Sequence, residues 1–184
     1  MAALLHDIGK PRSAWINPET GYNHYYLGDE GQGANHEEVG ADMTEERLKF
    51  LRYPAHRVDR IKELVNHHMW PAFNSDRGAR RFLNKVGPHA DDLLDLRWAD
   101  QGGKSVYPTD PSLDLTAQRD LVEEARSTKA PTAISQLAID GNDLIQSGMQ
   151  PGPEMGATLQ RLVEVVLEHP EYNTREKLLE LANV

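Results

Sequence analysis

Leu5-His6-Asp7-Ile8-Gly9-Lys10 closes a short apolar run and opens a Gly-Pro loop. An imidazole and a carboxylate side by side at that point place a nitrogen and an oxygen donor together at a helix end. Such a pair suits a divalent metal only when further ligands converge on it, so the rest of the chain decides between a site and a surface dipeptide. Residues 1–8 read as the last two turns of a buried helix, stopped by Gly9 and by Pro11 just beyond it. Met1-Ala2-Ala3-Leu4-Leu5 starts inside a helix-favouring apolar run with no N-cap before it. The expectation is a helix whose front lies upstream, in a chain that is a fragment of something longer.

Moving outward, residues 12–35 are rich in Gly, Asn, Asp and Tyr without sustained period, and read as a long loop. His36-Glu37-Glu38-Val39-Gly40-Ala41-Asp42-Met43 opens a helix with apolar residues at 39, 43, 48 and 51, ended by Tyr53-Pro54. A further helix spans residues 55–68, with Val58, Ile61, Leu64 and Val65 on one face. His67 and His68 follow Leu64 and Val65 by three, so both sit on or beside the buried stripe at its C-terminal end. A short helix at 77–86 carries Arg77, Arg80 and Arg81, and the next runs from Pro88-His89 through Leu93, Leu94, Leu96 and Ala99. Asp100 follows Leu96 by four and Leu93 by seven and shares their face, where a carboxylate needs a partner, whereas Asp91, Asp92 and Asp95 fall away from it.

Gly102-Gly103 ends that helix, and residues 107–114 are the candidate boundary. Helices are expected at 115–127, after the Pro151-Gly152-Pro153 turn with Met155, Leu159, Leu162, Val163 and Val166 inward, and at 174–182. No alternating period argues for strands, so the reading is all-α, with a metal-binding helical core over 1–106 and a C-terminal helical lobe over 107–184.

The chain has 184 residues, enough for a real core, and no cysteine, which removes thiolate ligands and disulfides. Any metal must be held by His, Asp or Glu. The formal net charge of -9 argues against a general polyanion-binding surface, while leaving room for local basic patches. No stretch approaches the ~20 apolar residues of a bilayer span and no secretory leader pattern is present; a cytoplasmic protein without a membrane partner is expected.

Together, His6-Asp7, His36, His67-His68 and Asp100 are inward-facing donors at helix ends, spread over four helices. On spacing alone, His67-His68 reads more simply as a pair interacting with a helix dipole, and Asp100 as a capping or solvent-facing carboxylate. The combination His6-Asp7-Ile8-Gly9-Lys10, His36 in a His-Glu-x-x-Gly-Ala run, His67-His68 and Ala99-Asp100 resembles the HD superfamily of metal-dependent phosphohydrolases over residues 1–103. Asp140-Gly141-Asn142-Asp143-Leu144-Ile145 and Pro151-Gly152-Pro153-Glu154-Met155-Gly156 resemble the C-terminal region of bacterial tRNA nucleotidyltransferases and poly(A) polymerase-like proteins. There is no nucleotidyltransferase head, with its Gly-Ser and paired-Asp motif, so nucleotide addition is not expected.

The resemblance implies an HD helical bundle in which His6, Asp7, His36, His67, His68 and Asp100 coordinate one or two divalent ions (Mn, Fe, Co, Ni, Zn or Mg), with Asp7 bridging if two bind. It implies hydrolysis of phosphodiesters or phosphomonoesters, including nucleotides, by metal-activated water. Lys10 stands beside Asp7 as the other catalytic candidate, neutralising a phosphate oxygen, with a plain surface role its equal alternative. Arg77, Arg80 and Arg81 are either a second phosphate clamp or, as charge clusters usually are, a solvated face. HD domains take a first His from the helix preceding the His-Asp pair, which this chain starts too late to contain; His24 in the loop is the candidate substitute. His24-Tyr25-Tyr26 could stack on a base, with an ordinary loop cluster the simpler reading. Two non-catalytic alternatives remain: an RNA-binding region, with a basic stripe through Arg77, Arg80, Arg81 and Lys85, and a homo-oligomerisation module pairing through the apolar start at residues 2–5.

Overall fold

A computed structural model of the chain describes residues 1–25, 35–103, 115–128 and 131–182. The expected boundary at 107–114 and Tyr26 lie outside the described residues. The described chain is helical apart from one small hairpin, and falls into two compact units: Met1–Ala72 with Pro88–Leu115, and Phe73–Gly87 with Thr116–Val184. The sequence-based division at 106/107 differs in leaving residues 73–87 with the first region.

In the first unit, helix α1 (Ala2–Leu5) buries none of its residues, and Leu4 is 78% exposed. The expected buried helix over 1–8 is therefore one short turn that packs against the later helices at 55–67 and 90–103 with Ala2 and Leu5 half-buried. His6 to Gly9 follow as further turns, closed by Ile8 N–H to Leu5 O at 3.0 Å and Lys10 N–H to Asp7 O at 3.1 Å. Helix α2 (Lys10–Ser13) places Pro11 in its first turn, where the missing N–H costs nothing. Next comes a hairpin of β1 (Ala14–Ile16) and β2 (Asn23–Tyr25), antiparallel with Trp15 opposite His24. Its loop is built by Asn17, whose Oδ1 accepts from Glu19 N–H at 2.8 Å and Thr20 N–H at 3.2 Å. This corrects the expectation of a strand-free loop.

Helix α3 (His36–Phe50) starts at a capping box in which Asn35 and Glu38 satisfy each other's end of the first turn. Its buried face is His36, Gly40, Ala41, Thr44 and Leu48; of the 39/43/48/51 stripe that hydrophobicity suggests, only Leu48 is fully buried, Val39 and Met43 are half-buried and Leu51 is exposed. The reason is close packing. A methyl group on Gly9 would stand 2.0 Å from His36 O and 2.7 Å from Gly40 N, so α2 meets α3 backbone to backbone. Helix α4 (Ala55–His67) packs against α3 and buries Val58, Leu64 and Val65. Helix α6 (Ala90–Gly103) buries Leu93, Leu94, Leu96 and Arg97, and Arg60 of α4 donates to both oxygens of Asp92 at 2.6 Å.

In the second unit, helix α5 (Asp76–Val86) is joined by α7 (Leu115–Ser127, here from Thr116), α8 (Gly141–Gln146), α9 (Pro153–Glu168) and α10 (Arg175–Ala182). Ile139, Leu144, Leu162, Val166, Leu178 and Ala182 form a core cluster there. Asp140 caps α8 through Asn142 N–H and Asp143 N–H, and Arg175 donates to Asp143 at 2.9 Å. Buried Arg80 donates from Nε to Leu167 O at 3.0 Å and pairs with Asp76, while Arg77 and Arg81 each meet Glu168 at 2.5 Å. These bonds tie α5 to the end of α9, which is why residues 73–87 group with the later helices.

Candidate metal centre

Asp7, His36 and His68 each offer a donor atom within 4.8 Å of the others. They come from three places: the turn before α2, the first residue of α3 and the C-cap of α4. The backbone contact of Gly9 with His36 and Gly40 sets the distance between the first two. The ring of His68 is fixed by its own helix end, where Nδ1 lies 2.7 Å from Val65 O, one of the carbonyls a helix C-terminus leaves without a partner.

The tautomers follow from these contacts. Val65 O can only accept, so Nδ1 of His68 carries the proton and Nε2 carries a lone pair. Nδ1 of His36 lies 3.2 Å from the Glu37 carboxylate, which imposes the same tautomer. The two Nε2 atoms then face each other at 3.2 Å, and each lies 3.6 Å from Asp7 Oδ1. Two lone pairs and an anionic oxygen around one point are mutually repulsive unless a cation stands between them. Each imidazole is oriented through its other nitrogen, the arrangement that presents histidine to a metal. The donor set therefore fits a divalent ion, with nitrogen and oxygen ligands suited to Zn, Mn, Fe, Co or Ni.

His6 repeats the pattern beside the cluster. Its Nδ1 lies 2.9 Å from Ala3 O, and its Nε2 is 3.4 Å from Asp7 Oδ2 and 3.5 Å from Asp100 Oδ1. Lys10 donates to Asp7 Oδ2 at 2.6 Å, and its ammonium stands 5.3 Å from the Tyr25 ring centre. His67 goes elsewhere, with Nε2 3.3 Å from Glu63 and its ring edge-on to Trp70. Of the six residues expected as ligands, His6, His36 and His68 lie beside Asp7 and Asp100 reaches it through His6, while His67 faces along its own helix. His24 pairs with Trp15 at 5.5 Å between ring centres, so among its described contacts is a hairpin partner.

Protonation agrees with ligation. Burial, aided by the neighbouring Lys10 and His6, pushes the His36 pKa below its ordinary value despite Glu37 and Asp7. Burial likewise pushes His68 down, outweighing the Val65 contact. Both rings are thus held neutral near pH 7. Burial raises the Asp7 carboxyl, but the Lys10 hydrogen bond and the electrostatic influence of its neighbours His6, Lys10 and His68 outweigh it and hold the group below the usual range. Gly9, Glu37 and Gly40 lie inside the quoted motifs but were not expected to shape the site, the small residues one helix contact apart being the available signal, and Tyr25 was expected only in a base-stacking or loop cluster.

The family model described as HD domain matches residues 1–101, and the model described as tRNA nucleotidyltransferase domain 2, putative, matches residues 117–182. The chain is 32% identical over 165 residues to the A-adding tRNA nucleotidyltransferase of Deinococcus radiodurans, covering 89% of this chain and 36% of that protein. It is 30% identical over 168 residues to the CC-adding tRNA nucleotidyltransferase of Thermus thermophilus, covering 91% of this chain and 36% of that protein. The chain thus spans about a third of the length of these relatives. No solved structure matches it significantly.

Proposed function

The chain belongs to the HD-domain family, and on that premise we propose that it is a metal-dependent phosphohydrolase acting on phosphodiesters or phosphomonoesters. One observation carries the reading: Asp7, His36 and His68 converge within 4.8 Å, with both imidazoles turned so that their lone pairs face inward. Asp7, His36 and His68 would hold the ion, with His6 and Asp100 beside them. A divalent ion bound there supplies Lewis acidity and makes hydroxide available near neutral pH.

The chain's own groups do the rest. His36 and His68 stay neutral and donate lone pairs because burial disfavours their charged forms. Asp7 is ionised and offers both oxygens. Lys10, whose ammonium already bonds an oxygen anion at 2.6 Å, is placed to draw a non-bridging phosphate oxygen into the same field. The pair of His6 and Asp100 can hold a proton at Nε2 of the imidazole during ester cleavage.

The test is elemental analysis of the purified protein, followed by hydrolysis of bis(p-nitrophenyl) phosphate with added Mn, Co, Ni, Zn or Mg. Metal-dependent turnover that vanishes in Asp7→Ala is the expected result. Absence of both bound metal and turnover would overturn the reading, and turnover retained in Asp7→Ala would move the site elsewhere.

A second reading is favoured by the two relatives, which are named for adding nucleotides to tRNA. In it the chain is a non-catalytic RNA-binding region. Salt-sensitive binding of tRNA without turnover would support it, against the grain of a net charge of -9.

A further inference from the structure

Residues 47–57 run Arg47-Leu48-Lys49-Phe50-Leu51-Arg52-Tyr53-Pro54-Ala55-His56-Arg57, without an Asp or Glu, in a chain whose formal net charge is -9. They form the corner where α3 ends and α4 begins. Its backbone is fixed, with Leu51 N–H on Arg47 O at 3.0 Å, Arg52 N–H on Lys49 O at 2.9 Å, Tyr53 N–H on Leu48 O at 3.0 Å and Arg57 N–H on Pro54 O at 2.9 Å. Because α3 starts at His36 and α4 ends at His68, the corner lies at the other end of the helix pair from the metal centre, about 20 Å away by the rise of a 15-residue helix.

Only Leu48 is buried at this corner, with Tyr53 half-buried. Phe50 is 75% exposed, and the Arg47 guanidinium lies over its ring, 5.5 Å from the centre. Lys49 is held by Glu45 at 2.5 Å, whereas Arg47, Arg52 and Arg57 are exposed and form no ion pair among the described residues. The stripe that the sequence offered as basic is different, since Arg77 and Arg81 are met by Glu168 and Arg80 by Asp76. Arg52 also has φ 59°, the one positive value outside glycine among the described residues. It follows the C-cap of α3, a position that glycine fills with less strain. The turn therefore does not require an arginine, and the fold gives its side chain no ionic partner.

We propose that this corner docks single-stranded nucleic acid, with a base lying on the Phe50 ring beside Arg47 and phosphates meeting Arg47, Arg52 and Arg57. Guanidinium forks match phosphate oxygens, and an exposed aromatic ring with an arginine over it offers a base a stacking face. A lipid surface fits less well, because Phe50 would carry the guanidinium that lies on it toward hydrocarbon, where a charge is costly. The surface is separate from the metal centre and serves whether or not an ion is bound there.

The test is fluorescence anisotropy of a labelled oligouridylate of about 12 nucleotides with the full chain, in chelator so that hydrolysis does not intervene. Affinity is expected to fall with salt at a log–log slope of about -2, as for three phosphates on a single strand. Phe50→Ala should weaken binding about 10-fold with the slope unchanged, and Phe50→Trp should bind at least as tightly as wild type. Arg52→Gly should flatten the slope by about 0.7 without lowering Tm, a combination that a merely structural arginine would not give. Lys85→Ala and Asp7→Ala should bind as wild type does. No binding by wild type at low salt would overturn the proposal, as would affinity unchanged in both Phe50→Ala and Arg52→Gly, or binding lost in Lys85→Ala. Capture on phosphatidylserine vesicles that Phe50→Ala abolishes, with no affinity for the oligonucleotide, would assign the corner to a membrane instead. Each of these outcomes leaves the hydrolytic reading standing, because turnover of bis(p-nitrophenyl) phosphate is measured separately and should persist in Phe50→Ala.

Discussion

Gly9 has no room for a side chain. Its methyl group would sit 2.0 Å from His36 O and 2.7 Å from Gly40 N, both backbone atoms that cannot rotate away. Gly9→Ala is expected to cost about 3 kcal/mol, the upper part of the usual range for overpacking, and to weaken manganese binding by pushing Asp7 from His36. Gly40→Ala, with its nearest contacts at 3.3 Å, should do much less of both. Urea unfolding and manganese titration of the two variants check the order. A second contrast lies between neighbours: His68→Ala should abolish manganese binding, whereas His67→Ala should leave its stoichiometry unchanged. Binding lost equally in both would place His67 in the centre.

That contrast marks the limit of what could be read at this scale. Hydrophobic period places His67 and His68 alike, because the two residues are adjacent and both flank the buried stripe. Only the C-cap geometry, with Nδ1 of His68 on Val65 O and Nε2 of His67 near Glu63, separates them. Asp7, His36 and His68 meet within 4.8 Å, with His6 and Asp100 beside them; the sequence set these residues together through the resemblance to the HD superfamily, because spacing alone reads His68 as a helix-dipole partner and Asp100 as a capping or solvent-facing carboxylate.

Elements show a similar division. Helices α3 to α6 and α9 lie close to where period and caps placed them, whereas the hairpin did not announce itself. Strands of three residues are too short for alternation to register. The buried face of α3 was misjudged because small residues that permit close approach carry little hydrophobic signal. The α3–α4 pair is also held at its surface, where Glu45 bonds Lys49 at 2.5 Å and also Lys62 of α4. Those two lysines lower the Glu45 pKa from 4.5 to about 2. A carboxylate depressed on folding stabilises fully above its unfolded value, and the contribution fades as pH falls from 4.5 toward about 2. Glu45→Gln should therefore destabilise the chain at neutral pH and flatten the loss of stability across that window. The difference should shrink in high salt, because the group is exposed. In the other unit, Arg80→Met strips Leu167 O and Asp76 of their donor and should cost on the order of 2 kcal/mol. The arginines expected as a phosphate clamp or solvated face are thus partners of α9 and of Asp76.

On the scale of the whole molecule, an ion held by residues 7, 36 and 68 would cross-link distant parts of the first unit, whereas the core of the second contains none of these donors. Binding to the folded state alone adds about 2.7 kcal/mol when free ion exceeds its Kd roughly a hundredfold, which for a chain of this size raises Tm by about 5–10 °C. Chelation should reverse the shift, and Asp7→Ala should not show it. The stabilisation should also be local. Amide hydrogen exchange should slow on adding manganese in residues 6–10, at the start of α3 and in the last turn of α4, because those segments must separate to release the ion. Exchange in α8, α9 and α10, whose protection comes from Leu144, Leu162, Val166 and Leu178, should stay as it was. Equal slowing in both units would mean that the ion acts through a more global change than three ligands can supply, and a shift in Tm without slowing at His36 and His68 would place it on other residues.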